Sequence, residues 1–114
     1  MIKKENRLNK VKDIKNVLKN GKSFYSDLIG IKILKNSLDI NRFCIIISAK
    51  VSKKSVDRNK TRRQIKFIIL ESEPFLKKGF DCLIIIKKDL SLMKFSEIKN
   101  LLEYLFKKIK FFSN

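Results

Sequence analysis

The sequence FCIIIS at residues 43–48 and the sequence FDCLIII at residues 80–86 decide the fold. The first run is apolar on both sides, which is typical of a central strand that is buried on two faces. The second run follows a turn at residues 77–79 and predicts another strand. Between them, residues 55–72 have the pattern of a helix, which Pro74 soon ends. A strand, a helix and a second strand therefore form the centre of the predicted fold.

The segments on either side extend this arrangement. Residues 9–20 predict a first helix, with Gly21 just past its end. Residues 24–35 are extended, because isoleucines alternate with other residues along them. Residues 36–41 are rich in turn formers and should reverse the chain. At the other end, residues 94–111 predict a third helix whose apolar stripe packs into the core.

The order of these elements is α-β-β-(β)-α-β-α, which predicts the fold class. We expect an α/β fold of the α+β two-layer sandwich type, with one mixed sheet and helices packed on it. A chain of 114 residues is the size of one domain, so residues 1–114 should form a single domain.

The charge balance indicates a polyanionic partner. The chain has 28 lysines and arginines against 11 acidic residues, which gives a net charge of +17. A compact body with that charge repels itself, and an anionic partner relieves the repulsion. Nucleic acid is the favoured partner because Lys and Arg release counterions when they neutralise phosphates. The alternative is a cationic surface that is only solvated.

The predicted second helix separates its cations from its apolar residues. At about 100° per residue, one face carries Arg58, Asn59, Arg62, Arg63 and Lys66. The other side carries Thr61, Ile65, Ile68 and Ser72. One side can therefore pack on the sheet while the other presents a cationic stripe.

Few opposite charges accompany this stripe. Asp57 is the only carboxylate between Val51 and Leu70, and further lysines at positions 50, 53 and 54 precede the helix. Arginine suits phosphate because its planar fork binds two oxygens at once. A solvated helix face is the alternative interpretation, but such faces usually mix charges of both signs.

The sequence offers little for protein-based catalysis. Histidine is absent, and Cys44 and Cys82 each lie inside an apolar run, so we expect two buried thiols and no zinc site. The carboxylates are scattered apart from Glu71 and Glu73, which we interpret as ordinary charges near the Pro74 turn. A nuclease needs a general base or a carboxylate cluster that binds metal. We therefore predict no catalytic residue and no metal site in the protein.

Membrane insertion is not expected. The longest apolar runs, such as residues 43–47, contain five residues, whereas a membrane helix needs about 20. The N-terminus has no apolar stretch of the signal-peptide type. The sequence therefore predicts a cytoplasmic protein. Binding of the amphipathic third helix to an anionic membrane surface is an alternative, although its apolar stripe is needed for the core.

The second helix and the segments around it resemble the ribonuclease P protein family. RNKTRR at residues 58–63 is similar to the family's RNR motif, usually written RNRxKR. SAKV at residues 48–51 is similar to its strand-ending SxKK segment, and Ser55-Val56 stands where the family has Ala-Val. Arg7-Leu8, with the first helix ending at Gly21, resembles the family's opening, and Gly79 with Asp81 resembles its G-x-D strand. The ordered set covers nearly the whole chain.

This resemblance implies a left-handed βαβ crossover around the second helix. It implies a subunit of an endoribonuclease, ribonuclease P, which removes the 5′ leader of precursor tRNA. The partners would be ribonuclease P RNA and precursor tRNA, with one copy of the protein per RNA. The RNA would carry out the hydrolysis with Mg²⁺, and the protein would bind no cofactor. A non-enzymatic RNA-binding module such as a small ribosomal protein is the alternative, since size, charge and fold class fit it equally well.

The residues and the resemblance together assign the binding sites. The expected RNA-binding residues are Arg7, Lys50, Lys53, Lys54, Arg58, Asn59, Lys60, Arg62, Arg63 and Lys66. The cleft for the single-stranded leader, between the first helix and the sheet, would involve Ile14, Leu18, Phe24, Tyr25 and Lys32. Phe24 and Tyr25 would either offer stacking faces or pack in the core.

The chain departs from the family pattern at four of these positions. Lys60 replaces an arginine and loses the bidentate fork. Ile14 and Leu18 occupy first-helix positions where the family often has aromatic residues, and Lys32 occupies a strand position that is often tyrosine. Leader binding is therefore expected to depend more on charge, through Lys32 and Lys50.

Overall fold

Residues 2–113, the part of the chain described by the computed structural model, form one mixed sheet of four strands with three helices. The helices are α1 (Val11–Asn20), α2 (Ser55–Ser72) and α3 (Phe95–Lys108). The strands are β1 (Lys22–Tyr25), β2 (Ile29–Lys35), β3 (Arg42–Ile47) and β4 (Phe80–Ile86). Short 3₁₀ turns lie at Lys4–Asn6 and Glu73–Phe75. This order confirms the expected fold class and includes the third strand before α2.

The strand order in the sheet is β1-β2-β4-β3. β4 pairs antiparallel with β2 and parallel with β3, so β4 is an inner strand, as is β2. The expectation that residues 43–48 form the central strand is wrong, because β3 lies at an edge of the sheet. Its apolar sequence is explained by its cover: the N-terminal segment lies along this edge, where the Leu8 backbone N–H donates to Phe43 O at 2.9 Å. The parallel unit β3-α2-β4 is present, and the left-handed sense of its crossover stays a prediction.

Residues 24–35 form a hairpin and not the single extended segment that the sequence predicts. β1 and β2 pair antiparallel, with Tyr25 opposite Gly30. Ser26 makes the turn, since its Oγ accepts hydrogen bonds from the backbone N–H of Leu28 at 3.3 Å and of Ile29 at 3.0 Å. Ser and Asp are turn formers, so the Ser26-Asp27 pair is the available signal for this reversal.

Alternation along the strands gives the sheet two different faces. On the first face, residues such as Ile31 and Ile84 pack against α2 and α3 in the main core. On the second face, Leu83 packs against Leu8 and against Val17 of α1. The sheet with α2 and α3 forms the expected two layers, and α1 adds a partial cover on the second face.

Arg42 bridges a largely buried aspartate of the sheet and a partly exposed aspartate of α1. Arg42 donates from Nε to Asp81 Oδ1 at 2.8 Å and from Nη2 to Asp81 Oδ2 at 2.7 Å. Its third nitrogen, Nη1, lies 3.3 Å from Asp13 Oδ2 on α1. The hydrogen bonds to Asp81 raise the pKa of Arg42. The aspartate of the G-x-D strand is therefore a structural residue that fixes the position of α1.

Gly21, the residue that follows α1, packs closely against the last turn of that helix. Gly21 follows the helix with a φ of −74°, which any residue can adopt. A Cβ atom at this position would lie only 2.5 Å from Val17 O. The glycine is therefore needed for space and not for a left-handed conformation.

Gly21→Ala should lower the free energy of unfolding by about 1–2 kcal/mol, because the added methyl group has to displace backbone atoms. Urea denaturation followed by circular dichroism measures the change. Lys19→Ala, an exposed change on the same turn, is the control and should stay within about 0.5 kcal/mol. Equal stability of Gly21→Ala and the unmodified chain would contradict the steric explanation.

The third helix ends three residues before the predicted limit of residue 111. Lys110 has a φ of 59°, which reverses the chain. Phe111 is thereby buried, with its ring centroid 5.5 Å from that of Phe106 and 5.7 Å from that of Phe80. The free energy gained by burying the Phe111 ring exceeds the free energy that one left-handed residue costs.

Candidate nucleic-acid interface

Helix α2 has the two sides that its sequence predicts. The residues expected to face the sheet, Thr61, Ile65, Ile68 and Ser72, are all buried. Arg58, Asn59, Arg62, Arg63 and Lys66, which we call the α2 stripe, are exposed or partly exposed. No salt bridge within residues 2–113 involves a stripe residue. The positive charge of the stripe is therefore not neutralised by the carboxylates of these residues.

Arg58 also organises the loop before the helix. Its Nη1 donates to Ser52 O at 2.8 Å and to Lys53 O at 3.1 Å. The loop is held against the first turn of α2, and Lys53 and Lys54 are exposed there beside the stripe. Lys50, earlier in the same loop, is also exposed. The three cations predicted before the helix are thus exposed in the loop that leads into it.

Lys60 faces a different side of α2. Its Nζ donates to Ser91 O at 3.2 Å, in the loop between β4 and α3. The structure therefore separates Lys60 from the stripe, although it belongs to the same sequence motif.

Arg7 joins the stripe across a shallow groove at the edge of β3. Arg7, Arg62 and Lys66 line this groove, and its floor is apolar. Cys44 forms part of the floor, where burial raises the pKa of its thiol and the Arg62 guanidinium opposes that change. Three cations from two separate segments therefore line one groove, and such groups form strong charge-assisted hydrogen bonds with phosphate.

The predicted cleft lies on the second face of the sheet, beside α1. Ile14 packs against the small cluster around Val17, and Leu18 is 40% exposed. Lys32 reaches from β2 to the end of α1, where its Nζ donates to Leu18 O at 2.6 Å. Lys32 therefore stabilises the C-terminal end of the helix, where carbonyl groups carry partial negative charge.

The two aromatic residues of β1 separate onto opposite faces. Tyr25 is 52% exposed on the second face, the face of the cleft. Phe24 packs against the main core on the first face, so its assignment to the cleft is wrong. The reason is strand alternation, since successive side chains point to opposite faces.

Lys87 belongs to the same surface, although the sequence motifs do not indicate it. It follows β4, and its Nζ lies 5.3 Å from the centroid of the Tyr25 ring. The same Nζ donates to Ser26 O at 2.9 Å. The available sequence signal is that Lys87 continues the every-second-residue spacing of Leu83 and Ile85. The strand register is needed to tell which face of the sheet these residues share.

The remaining candidate groups have structural surroundings. Glu73 pairs with Lys78 at 2.6 Å, and Glu71 pairs with Lys99 at 3.4 Å. Cys82 is fully buried, and burial raises the pKa of its thiol. Cys44 is only half-buried, which corrects the expectation of two buried thiols. Both cysteines are free, and they lie on opposite faces of the sheet.

The part of the chain that the structure describes offers neither a metal-binding cluster nor a membrane helix. Residues 2–113 contain no group of three or more acidic, cysteine or histidine side chains placed to hold a metal ion. No helix among them combines the length and the apolar character needed to cross a bilayer.

Comparisons with known proteins all lead to one family. A family model described as Ribonuclease P matches residues 2–110. The ribonuclease P protein component of Clostridium botulinum is 36% identical over 106 residues, which are 92% of this chain and 95% of that protein. A Staphylococcus aureus RNase P protein mutant with defective mRNA degradation activity has a TM-score of 0.89 at 26% identity, over 96% of this chain and 92% of its own. The Thermotoga maritima RNase P protein has a TM-score of 0.80 at 29% identity, over 90% of this chain and 96% of its own.

Proposed function

This chain belongs to the ribonuclease P protein family, and we propose that it binds the ribonuclease P RNA through the α2 stripe and the 5′ leader of precursor tRNA through the cleft. As the protein component of a ribonucleoprotein it has an RNA partner. The matches do not favour the alternative of a small ribosomal protein. One copy of the protein per RNA and a cytoplasmic location complete the proposal.

The observation that carries this proposal is the uncompensated charge of α2. Among the described residues, Arg62 and Lys66 have no carboxylate partner, and they share a groove with Arg7. A polyanion is the partner that lowers the energy of such an arrangement, because it releases counterions when its phosphates are neutralised. This distribution of charge supports RNA binding by the motif residues on the stripe, whereas Lys60 lies on a separate side of the helix.

In this proposal the RNA partner carries out the phosphodiester hydrolysis with Mg²⁺, and the protein supplies position and charge. Several of its carboxylates form structural pairs with lysine or arginine, as Glu71, Glu73 and Asp81 do. The protein's contribution is to hold the leader and the RNA partner together. Lysines and arginines can replace part of the ionic screening that two RNA segments need when they approach each other.

Reconstitution tests this function. The chain, mixed with folded ribonuclease P RNA and precursor tRNA, should increase the rate of leader cleavage at low Mg²⁺, because its cations reduce repulsion between the two RNAs. The effect should shrink as Mg²⁺ rises. Gel analysis of cleaved leader measures the rate, and RNA without protein is the control. A folded RNA that cleaves equally fast with and without the chain would contradict the proposal.

A further inference from the structure

Tyr25 is held in place by a glycine on the neighbouring strand. Gly30 lies directly opposite Tyr25 in the β1-β2 hairpin. A Cβ atom on Gly30 would lie 2.3 Å from Tyr25 Cδ1 and 2.4 Å from Tyr25 Cε1. The tyrosine ring therefore rests on the bare backbone of Gly30, which is buried beneath it. Any larger residue at position 30 would push the ring away.

This arrangement leaves an aromatic ring that is fixed and still accessible. Tyr25 is 52% exposed, whereas aromatic rings of the core such as Phe106 and Phe111 are almost fully buried. A fixed ring loses little conformational entropy when a ligand stacks on it. An exposed and ordered aromatic ring on a cationic surface is a feature of proteins that bind single-stranded nucleic acid.

Two lysines lie on the same face of the sheet as the ring, and one of them, Lys87, lies over it. Lys87 Nζ lies 5.3 Å from the ring centroid, and Lys32 lies on the same face of the sheet, two positions beyond Gly30 on β2. Neither lysine takes part in a salt bridge within residues 2–113. Lys32 also occupies the strand position where the family often has a tyrosine, so in this chain the aromatic ring of the cleft lies one strand away.

We propose that Tyr25, seated on Gly30 and flanked by Lys87, stacks on one unpaired base of single-stranded RNA while Lys87 neutralises a neighbouring phosphate. The inference rests on the proposed function and names the position in the cleft that takes a base. Double-stranded RNA is a poor ligand here because its bases are already stacked within the helix. The contact is tolerant of base identity, since every base has a π face.

Intrinsic fluorescence gives a direct test. The chain has two tyrosines and no tryptophan, and Tyr104 lies on α3, on the opposite side of the sheet. In Tyr104→Phe protein, Tyr25 is the only tyrosine emitter. A short unstructured oligoribonucleotide should quench its emission at saturation, and an abasic oligomer of the same length and charge should not. Unchanged emission while anisotropy shows the oligoribonucleotide bound would overturn the inference.

Variants of Tyr25 and of Gly30 beneath it give an independent test. Tyr25→Ala should weaken binding of the oligoribonucleotide about tenfold, and Tyr25→Phe should recover most of that affinity because it keeps the ring. Gly30→Val should weaken binding about as much as Tyr25→Ala in the unmodified chain, but should cause no further weakening in the Tyr25→Ala background. Equal weakening by Gly30→Val in both backgrounds, or full affinity of Tyr25→Ala, would overturn the inference.

These outcomes separate the inference from the function on which it rests. Failure of the proposed function would appear as absent binding of both the oligoribonucleotide and the ribonuclease P RNA by the unmodified chain. Failure of the inference alone would leave RNA binding intact and insensitive to Tyr25. Should Gly30→Val fail to fold, the fluorescence measurement and the two Tyr25 variants still decide the matter.

Discussion

The double variant Arg62→Ala/Arg63→Ala should bind ribonuclease P RNA about a hundredfold more weakly than the unmodified chain. Each guanidinium group that contacts a phosphate contributes about 1.5 kcal/mol or more through charged hydrogen bonds, and each 1.4 kcal/mol is about tenfold in affinity. Neither arginine has a carboxylate partner within the described residues. Their removal should therefore leave the fold intact. Fluorescence anisotropy with labelled RNA at fixed salt measures the decrease in affinity.

A matched variant separates local contact from general charge. Lys107→Ala/Lys108→Ala removes the same two charges from exposed positions of α3, outside the stripe. This control should change the affinity only a few-fold through long-range electrostatics. Both variants should keep the thermal unfolding profile of the unmodified chain. An equal decrease in affinity for the two variants would show that RNA responds to net charge and not to the stripe.

Asp81→Ala should lower the free energy of unfolding by about 3 kcal/mol, which is the cost of removing one partner of a buried ion pair. The Asp81 side chain is 8% exposed and accepts two hydrogen bonds from Arg42 and one from Asn36. Without it, the guanidinium keeps only its contact with Asp13, and the amide keeps only its hydrogen bond to Ile40 O. Urea denaturation monitored by circular dichroism gives the change.

Asp13→Ala is the control for this prediction, because it removes the other carboxylate that contacts Arg42. The Asp13 side chain is 30% exposed, and its oxygen lies 3.3 Å from Arg42 Nη1. A partly solvated pair of this kind contributes at most about 1 kcal/mol. An effect of Asp13→Ala as large as that of Asp81→Ala would contradict the assignment of Asp81 as the principal partner.

Helix α2 is predictable from sequence because several local signals agree. Apolar residues and cations separate at helical spacing, and Pro74 ends the helical region. The scarcity of carboxylates around the stripe is likewise visible in the sequence, and no salt bridge reaches the stripe from elsewhere in residues 2–113. The cationic surface therefore depends mainly on one segment of sequence. The motif carries one exception, since Lys60 points away from the stripe to Ser91.

The sheet is less predictable because strand position depends on distant partners. β3 and β4 have similar apolar sequences, yet β4 is an inner strand and β3 is at an edge. Sequence periodicity does not report that the N-terminal segment covers β3 through Leu8. The hairpin turn at Ser26 escapes sequence prediction for a different reason, since isoleucine alternation continues close to it and conceals a short turn.

Prediction of the cleft from sequence is limited in the same way, because it depends on which face of the sheet each side chain occupies. Phe24 and Tyr25 are adjacent and chemically similar, but only the register of β1 shows which of them faces α1. The contact of Tyr25 with Gly30 and the approach of Lys87 depend on pairing across three strands. A glycine within a strand pattern indicates a close approach, but not which residue approaches it.

The dependence of RNA affinity on salt concentration tests the central claim, that the α2 stripe contacts phosphates, most directly. The slope of log affinity against log salt should fall by about one unit for each phosphate that the protein no longer neutralises. Arg62→Ala/Arg63→Ala should therefore show a slope about two units shallower than the unmodified chain. An identical slope in the two proteins would mean that these arginines do not touch RNA phosphates.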